Sequence, residues 1–283
     1  MKNRFSWIFG IMLMIFVMNS CIDQMPVDSP DISEDAIPLQ IYGEIKQISN
    51  TRVSDTGFAD GDAVGIFAVN YEGRDPGELK TSGNQADNIK YVLDEGLYKW
   101  NSTIDAYYKD KKTPVDLYGY YPYGNPSPID NYVFELAKDQ SQPAENGRMG
   151  GYEASDFLWG KAENVSPTAE RVPIRFNHIM AGVVVELAEG AGFDGEWTTL
   201  EKAVLITGIS RKAAIDLKTG IATATGNAES TGTIPYKDGN TFRAVIAPQS
   251  VATGISLFSI TVDGTAYKFS RSEQFTYNSG KLH

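Results

Sequence analysis

The chain has 283 residues, 25 Lys and Arg against 36 Asp and Glu, and a formal net charge of −11. An acidic surface excludes a nucleic-acid partner, whose affinity rests on basic contacts to phosphate. Two histidines and one cysteine leave no set of residues for a zinc site or a Cys–His dyad.

Lys2 and Arg4 precede an almost wholly apolar run from Phe5 to Met18, followed by Asn19, Ser20 and Cys21. Residues 1–20 read as a secretory signal peptide; the run is short of the about 20 residues that a transmembrane helix needs. Cys21 follows a small residue at the end of that run, where a bacterial lipoprotein presents the thiol that its acylation machinery modifies. Cys21 is therefore expected to carry lipid, palmitate among it, as residue one of the mature protein. Met18 and Asn19 stand where Leu and a small residue are usual, so the alternative is a free thiol in an ordinary signal peptide cut further on. Removing Lys2 and Arg4 with the leader takes the formal net charge from −11 to −13. Residues 21–37 hold Asp23, Asp28, Asp31, Glu34, Asp35, Pro26 and Pro30 and have too little apolar surface to fold alone. They read as a tether that holds the domain away from the membrane.

From residue 38 onward the hydrophobic pattern points to strands. Residues 38–48 alternate, with Leu39, Ile41, Gly43, Ile45 and Gln47 on one parity. Residues 63–69, 115–121, 183–187, 202–206, 241–246, 255–262 and 266–269 read as further strands. Turn signals separate them, among them Asp60-Gly61, Asn125-Pro126, Thr219-Gly220 and Asp263-Gly264. Residues 132–138 are the best short helix candidate. Many short strands with frequent turns predict an all-β sandwich class. The roughly 260 residues after the leader suit two domains of ordinary size. These are expected at 38–170 and 171–283, with the polar, Gly-rich stretch 139–154 dividing the strands.

The search for chemistry finds little. His178, at the head of an apolar strand, could be a base or metal ligand; the other reading is a half-buried strand-end histidine bonded to backbone. Asp55, Asp60 and Asp62 cluster around glycines. They lack the alternate spacing and closing Glu of an EF-hand loop, which favours a turn over a calcium site. The run Tyr118-Gly119-Tyr120-Tyr121-Pro122-Tyr123 could stack on sugar rings, or divide between core and sheet surface. No phosphate loop is present, no carboxylate pair stands out for glycoside hydrolysis, and no cofactor or metal is implied. The reading is non-enzymatic.

Several of these segments, in order, resemble the fimbrillin family, the type V pilins and related surface lipoproteins of Bacteroidales. They are the leader ending at Cys21, Asn50-Thr51-Arg52 after the first strand, and Gly61-Asp62-Ala63-Val64-Gly65-Ile66-Phe67. Tyr120-Tyr121-Pro122-Tyr123, Asp156-Phe157-Leu158-Trp159-Gly160 and Phe176-Asn177-His178-Ile179-Met180-Ala181 follow, then Ala247-Pro248-Gln249 and Ser279-Gly280-Lys281. The resemblance implies two transthyretin-like β-sandwich domains and a fimbrial structural or adhesive subunit exported as a lipoprotein to the cell surface. It also implies an arginine-specific protease cutting after Arg52, removal of the first strand, and donor-strand addition between subunits. An uncleaved anchor or tip protein is the alternative for Arg52. A host or bacterial surface ligand is expected of an adhesive member. The chain stops at His283, where the family's motif leads into a further strand, so a terminal subunit or a fragment is expected. The competing reading is a monomeric surface glycan-binding lipoprotein that uses the tyrosine run, Trp100 and Trp159.

Overall fold

The computed structural model describes residues 35–46, 57–145, 149–191 and 196–283. Among them the strands run in chain order as β1 (Ile41–Ile45), β2 (Ala63–Asn70), β3 (Ala86–Asp94), β4 (Lys99–Ser102), β5 (Val115–Tyr121) and β6 (Tyr132–Glu135). Next come β7 (Leu158–Val165), β8 (Val172–His178), β9 (Ala181–Glu186), β10 (Lys202–Ile206), β11 (Lys212–Asp216) and β12 (Ile221–Thr225). The last are β13 (Tyr236–Asp238), β14 (Thr241–Ile246), β15 (Gln249–Val251), β16 (Ser256–Val262), β17 (Thr265–Ser270) and β18 (Phe275–Tyr277). One seven-stranded sheet has the order β1-β8-β7-β5-β2-β3-β4, and the remaining strands form three three-stranded sheets and one pair. The all-β sandwich expectation is met.

The strands enclose three successive hydrophobic cores. The first holds Leu39, Ile41, Val64, Ile66, Trp100, Leu117, Ile174 and Phe176. The second holds Phe67, Tyr118, Tyr120, Phe134, Phe157, Ile215 and Val245. The third holds Val183, Ile206, Phe242, Ala244, Ile246, Leu257 and Tyr277. β2 and β5 form the wall between the first two: Leu117 and Tyr121 face one core, Tyr118 and Tyr120 the other. β14 is the wall between the second and third, with Val245 on one side and Phe242, Ala244 and Ile246 on the other. Strands covered on both faces read as continuous apolar runs rather than alternations. This is why residues 64–69 carry no polar residue.

Strands from both sides of residue 171 share sheets: β8 lies in the seven-stranded sheet, and β6 pairs with β11. The segment read as a helix candidate, 132–138, is instead β6 and its extension. Phe134 and Leu136 are buried while Val133 and Glu135 face solvent, a period of two that no helix satisfies. At the β16–β17 hairpin the predicted turn is present. Asp263 and Gly264 have φ of 46° and 77°, the left-handed pair that a two-residue hairpin of this twist requires.

Two polar side chains are buried where backbone or charge demands it. Gln140 is fully buried; its Oε1 accepts the Val245 N–H at 2.8 Å and its Nε2 donates to the Val245 carbonyl at 2.7 Å. The amide thus stands in for a neighbouring strand on the edge of β14. Asp116, 1% exposed, meets Lys161 Nζ at 2.9 Å and accepts the Asn164 N–H at 2.9 Å. At the far end, residues 280–283 lie along β9: Gly182 N–H donates to Lys281 O, His283 N–H to Gly182 O, and Val184 N–H to His283 O. His283 packs edge-on to Phe275 and Tyr277, and its Nε2 accepts the Asn278 N–H at 2.9 Å.

Two outcomes are expected. Gln140→Ala leaves a buried N–H and C=O unpaired and should lower unfolding free energy by about 2–4 kcal/mol in urea titrations, with the fold retained. Burial pushes the His283 imidazole below its ordinary value, so the neutral ring is the one the folded chain prefers. Its contribution is therefore present above the unfolded-state value and lost as pH falls through the folded one. Amide exchange at Gly182 and Val184 should speed up on acidification below neutrality and lose that dependence in His283→Phe.

Candidate functional site

The first strand and the groove it fills form the candidate site. Backbone bonds hold the segment on two sides. Leu39 N–H donates to Ala106 O at 2.8 Å, and Tyr108 N–H to Ile37 O at 3.0 Å. Val172 N–H donates to Gln40 O at 2.9 Å, and Lys46 N–H to Phe176 O at 2.8 Å. Between these points β1 runs parallel to β8 in the register Ile41↔Val172, Gly43↔Ile174, Ile45↔Phe176. β1 sits at one end of the sheet order and is laddered to β8 alone.

Side chains finish the fit. Leu39 and Ile41 are 3% and 1% exposed, whereas Tyr42 and Glu44 on the opposite parity face solvent. The Tyr91 hydroxyl donates to Leu39 O at 2.6 Å inside the core. Gly43 has no side chain because there is little room for one: a Cβ there would lie 3.2 Å from Trp100 and 3.3 Å from both Phe176 and Phe58. Phe58 closes the far end, edge-on to Trp100, Tyr121 and Phe176 at centroid distances of 5.0, 5.5 and 5.3 Å. Burial of Leu39 and Ile41 is worth about 1.5–3 kcal/mol each. That is a large fraction of the roughly 5–15 kcal/mol that keeps a domain folded. β1 is what covers Val172, Ile174, Phe176 and Trp100 and the outer backbone edge of β8.

Cys21 and Arg52 lie outside the described residues, as does Asp55. The other residues singled out in the sequence have structural work. His178 ends β8 and is nearly buried; its Nδ1 lies 2.6 Å from Asp156 Oδ2. A carboxylate is thus one partner of the ring. That contact ties two of the family-like segments together, beside the pairs Leu158↔His178 and Trp159↔Asn177. Asp60 accepts the Glu95 N–H, and Asp62 accepts the Ala59 N–H and the Tyr121 hydroxyl, so both shape turns. Burial, reinforced by the Asp62 carboxylate, holds the Tyr121 phenol above its ordinary range, protonated and donating.

The tyrosine run is core on both faces, not half surface. Tyr120 stacks on Phe157 at 5.7 Å and bonds Asn88 and Gly124 O through its hydroxyl, and only Tyr123 is exposed. Gly65 sits opposite Tyr120 in the sheet, where a Cβ would come within 2.2 Å of the ring. Trp100 is buried, and Trp159 packs against the second core with its Nε1 donating to Leu217 O. A sugar-stacking platform built from these rings would need them at the surface. Sequence reasoning missed Phe58, Tyr91 and residues 106–108. An aromatic isolated in an Asp-Gly loop was the one available signal, for Phe58.

Ile41→Ala in the uncut chain should lower stability by about 2–5 kcal/mol in urea denaturation. Tyr42→Ala, one residue away on the solvent face, should change it by less than about 0.5 kcal/mol.

A family model described as fimbrillin-like matches residues 51–283. The fold is shared with solved structures of two candidate cell adhesion proteins. The one from Bacteroides ovatus is 18% identical with a TM-score of 0.63, over 86% of this chain and 88% of that one. The one from Bacteroides uniformis is 18% identical with a TM-score of 0.60, over 88% and 91%. No curated protein matches the chain. With a family model spanning most of its length, the chain belongs to the fimbrillin-like family.

Proposed function

We propose that this chain is a fimbrial structural or adhesive subunit, exported as a lipoprotein on Cys21, cut after Arg52 and assembled by strand addition. The observation that carries this reading is the placement of β1: an edge strand, laddered to one neighbour, whose apolar parity completes the first core. In the sequence Arg52 falls between β1 and β2, so one cut by an arginine-specific protease separates β1, the tether and Cys21 from the rest. The strand can then leave by breaking one ladder and the few backbone bonds at residues 37–40 and 46, without disturbing β2 to β8. A segment of a neighbouring subunit with apolar residues at alternate positions restores both the backbone bonds and the side-chain cover. Until the cut, the lipid holds the subunit at the outer membrane and β1 keeps the groove closed. The role is structural and requires no catalytic group.

The test is the mature N-terminus and intact mass of protein taken from fibres and from the cell surface. Fibre-borne chains are expected to start at Val53 without lipid, and Arg52→Ala to leave uncut, unpolymerised chains. Fibres built from chains that begin at acylated Cys21 would sink the cleavage step and mark an anchor or monomeric lipoprotein.

A further inference from the structure

Three loops are each tied to residues 37–40, where the chain enters the first core. The β3–β4 hairpin tip is tied through Arg171, whose Nη1 donates to Tyr98 O at 2.8 Å and whose neighbour Val172 bonds Gln40 O. The loop after β4 is tied through Ala106 O, which accepts the Leu39 N–H. The loop at 109–112 follows Tyr108, whose N–H bonds Ile37 O.

These loops carry surface chemistry out of keeping with the rest of the chain. Leu97, Tyr98 and Ile104 are 68%, 77% and 60% exposed; among the described large hydrophobics only Ile221, at 61%, matches them. Lys109 and Lys112 are both exposed, two cations within four residues of a chain whose net charge is −11. Asp110, between them, is turned back on its own loop: it accepts the Lys112 and Thr113 N–H groups and the Thr113 hydroxyl. Asp94 is likewise engaged by the Leu97 N–H. Glu95 and Asp105 are the other acids on these loops.

We propose that this end of the uncut subunit docks on the bilayer that carries its lipid, with Leu97, Tyr98 and Ile104 in the interface and the lysines against anionic headgroups. The inference rests on the lipid-anchor reading of Cys21. The length of the tether supports it: the 15 residues from Cys21 to Asp35 reach at most about 50 Å when fully extended. Ile37, two residues past that span, is bonded to Tyr108 at the head of the 109–112 loop. Tethering over such a span gives an effective concentration on the order of millimolar, so weak surface contacts become occupied. Tyr and aliphatic tips suit the interfacial layer, and basic clusters suit an anionic surface. Docked this way, the subunit keeps the entry of β1 against the membrane until it is cut.

The test couples the mature chain, through its single thiol at Cys21, to maleimide lipid in phosphatidylethanolamine–phosphatidylglycerol vesicles. A soluble maleimide serves as control, and amide exchange is followed in both. Exchange across 95–112 should slow several-fold on vesicles while the exposed β16–β17 hairpin is unchanged. Leu97→Ser/Tyr98→Ser/Ile104→Ser, all at exposed positions, should abolish the slowing. Equal exchange in the two samples overturns the proposal. So does slowing in the vesicle-free control that grows with protein concentration, which would mark a second copy as the occupant. Palmitate labelling of Cys21 in cells tests the anchor separately. Unlabelled protein sinks the anchor and the natural setting of the docking with it, whereas labelled protein with equal exchange sinks the docking alone.

Discussion

Everything in the N-terminal half depends on covering one edge. β8 pairs with β7 at Leu158↔His178 and Trp159↔Asn177, and over its first five residues its other side is laddered to β1. Its inward residues Val172, Ile174 and Phe176 are buried. A polar backbone edge and an apolar face cannot both be left to water without cost. The strand that covers them comes from the segment just upstream of the family model's match, and it is attached to the rest through a stretch containing Arg52. On the proposed cleavage, the element that completes the core is also the one released.

The two internal walls give the chain its rigidity. β2, β5 and β14 each separate two cores, so their side chains are fixed from both sides and their backbones are shielded from solvent. Shielding raises the stakes for every polar group placed there. Gln140 answers for the Val245 backbone, and Lys161 with the Asn164 amide for Asp116. The same geometry gives the motifs that mark the family structural work. Gly65 makes room for Tyr120, Tyr120 stacks on Phe157, and Asp156 holds His178.

Much of this was readable in advance, and the gaps have definite causes. The parity of residues 39–45 was plain because one face of β1 is solvated and the other is core. The Asp263-Gly264 turn was plain because its chemistry is local. Tyr118 to Tyr121 misled because alternation cannot report that both faces are covered, which is settled by sheets distant in sequence. Residues 132–138 misled because their partner, β11, lies some 80 residues on. His178 was read at the head of an apolar strand and instead closes β8, and its contact with a carboxylate 22 residues earlier is a product of pairing between β7 and β8.

The direction of β1 carries a last implication. It runs parallel to β8, and its alternate side chains are read against Val172, Ile174 and Phe176 in that sense. On the strand-addition reading proposed above, a replacement that keeps this parallel register points the same way. A contact of this kind has a giver and a receiver that are different surfaces, so repeating it yields an open, vectorial array instead of a closed symmetric pair. On that reading growth is unipolar, with a fresh vacancy at one end only of each added copy.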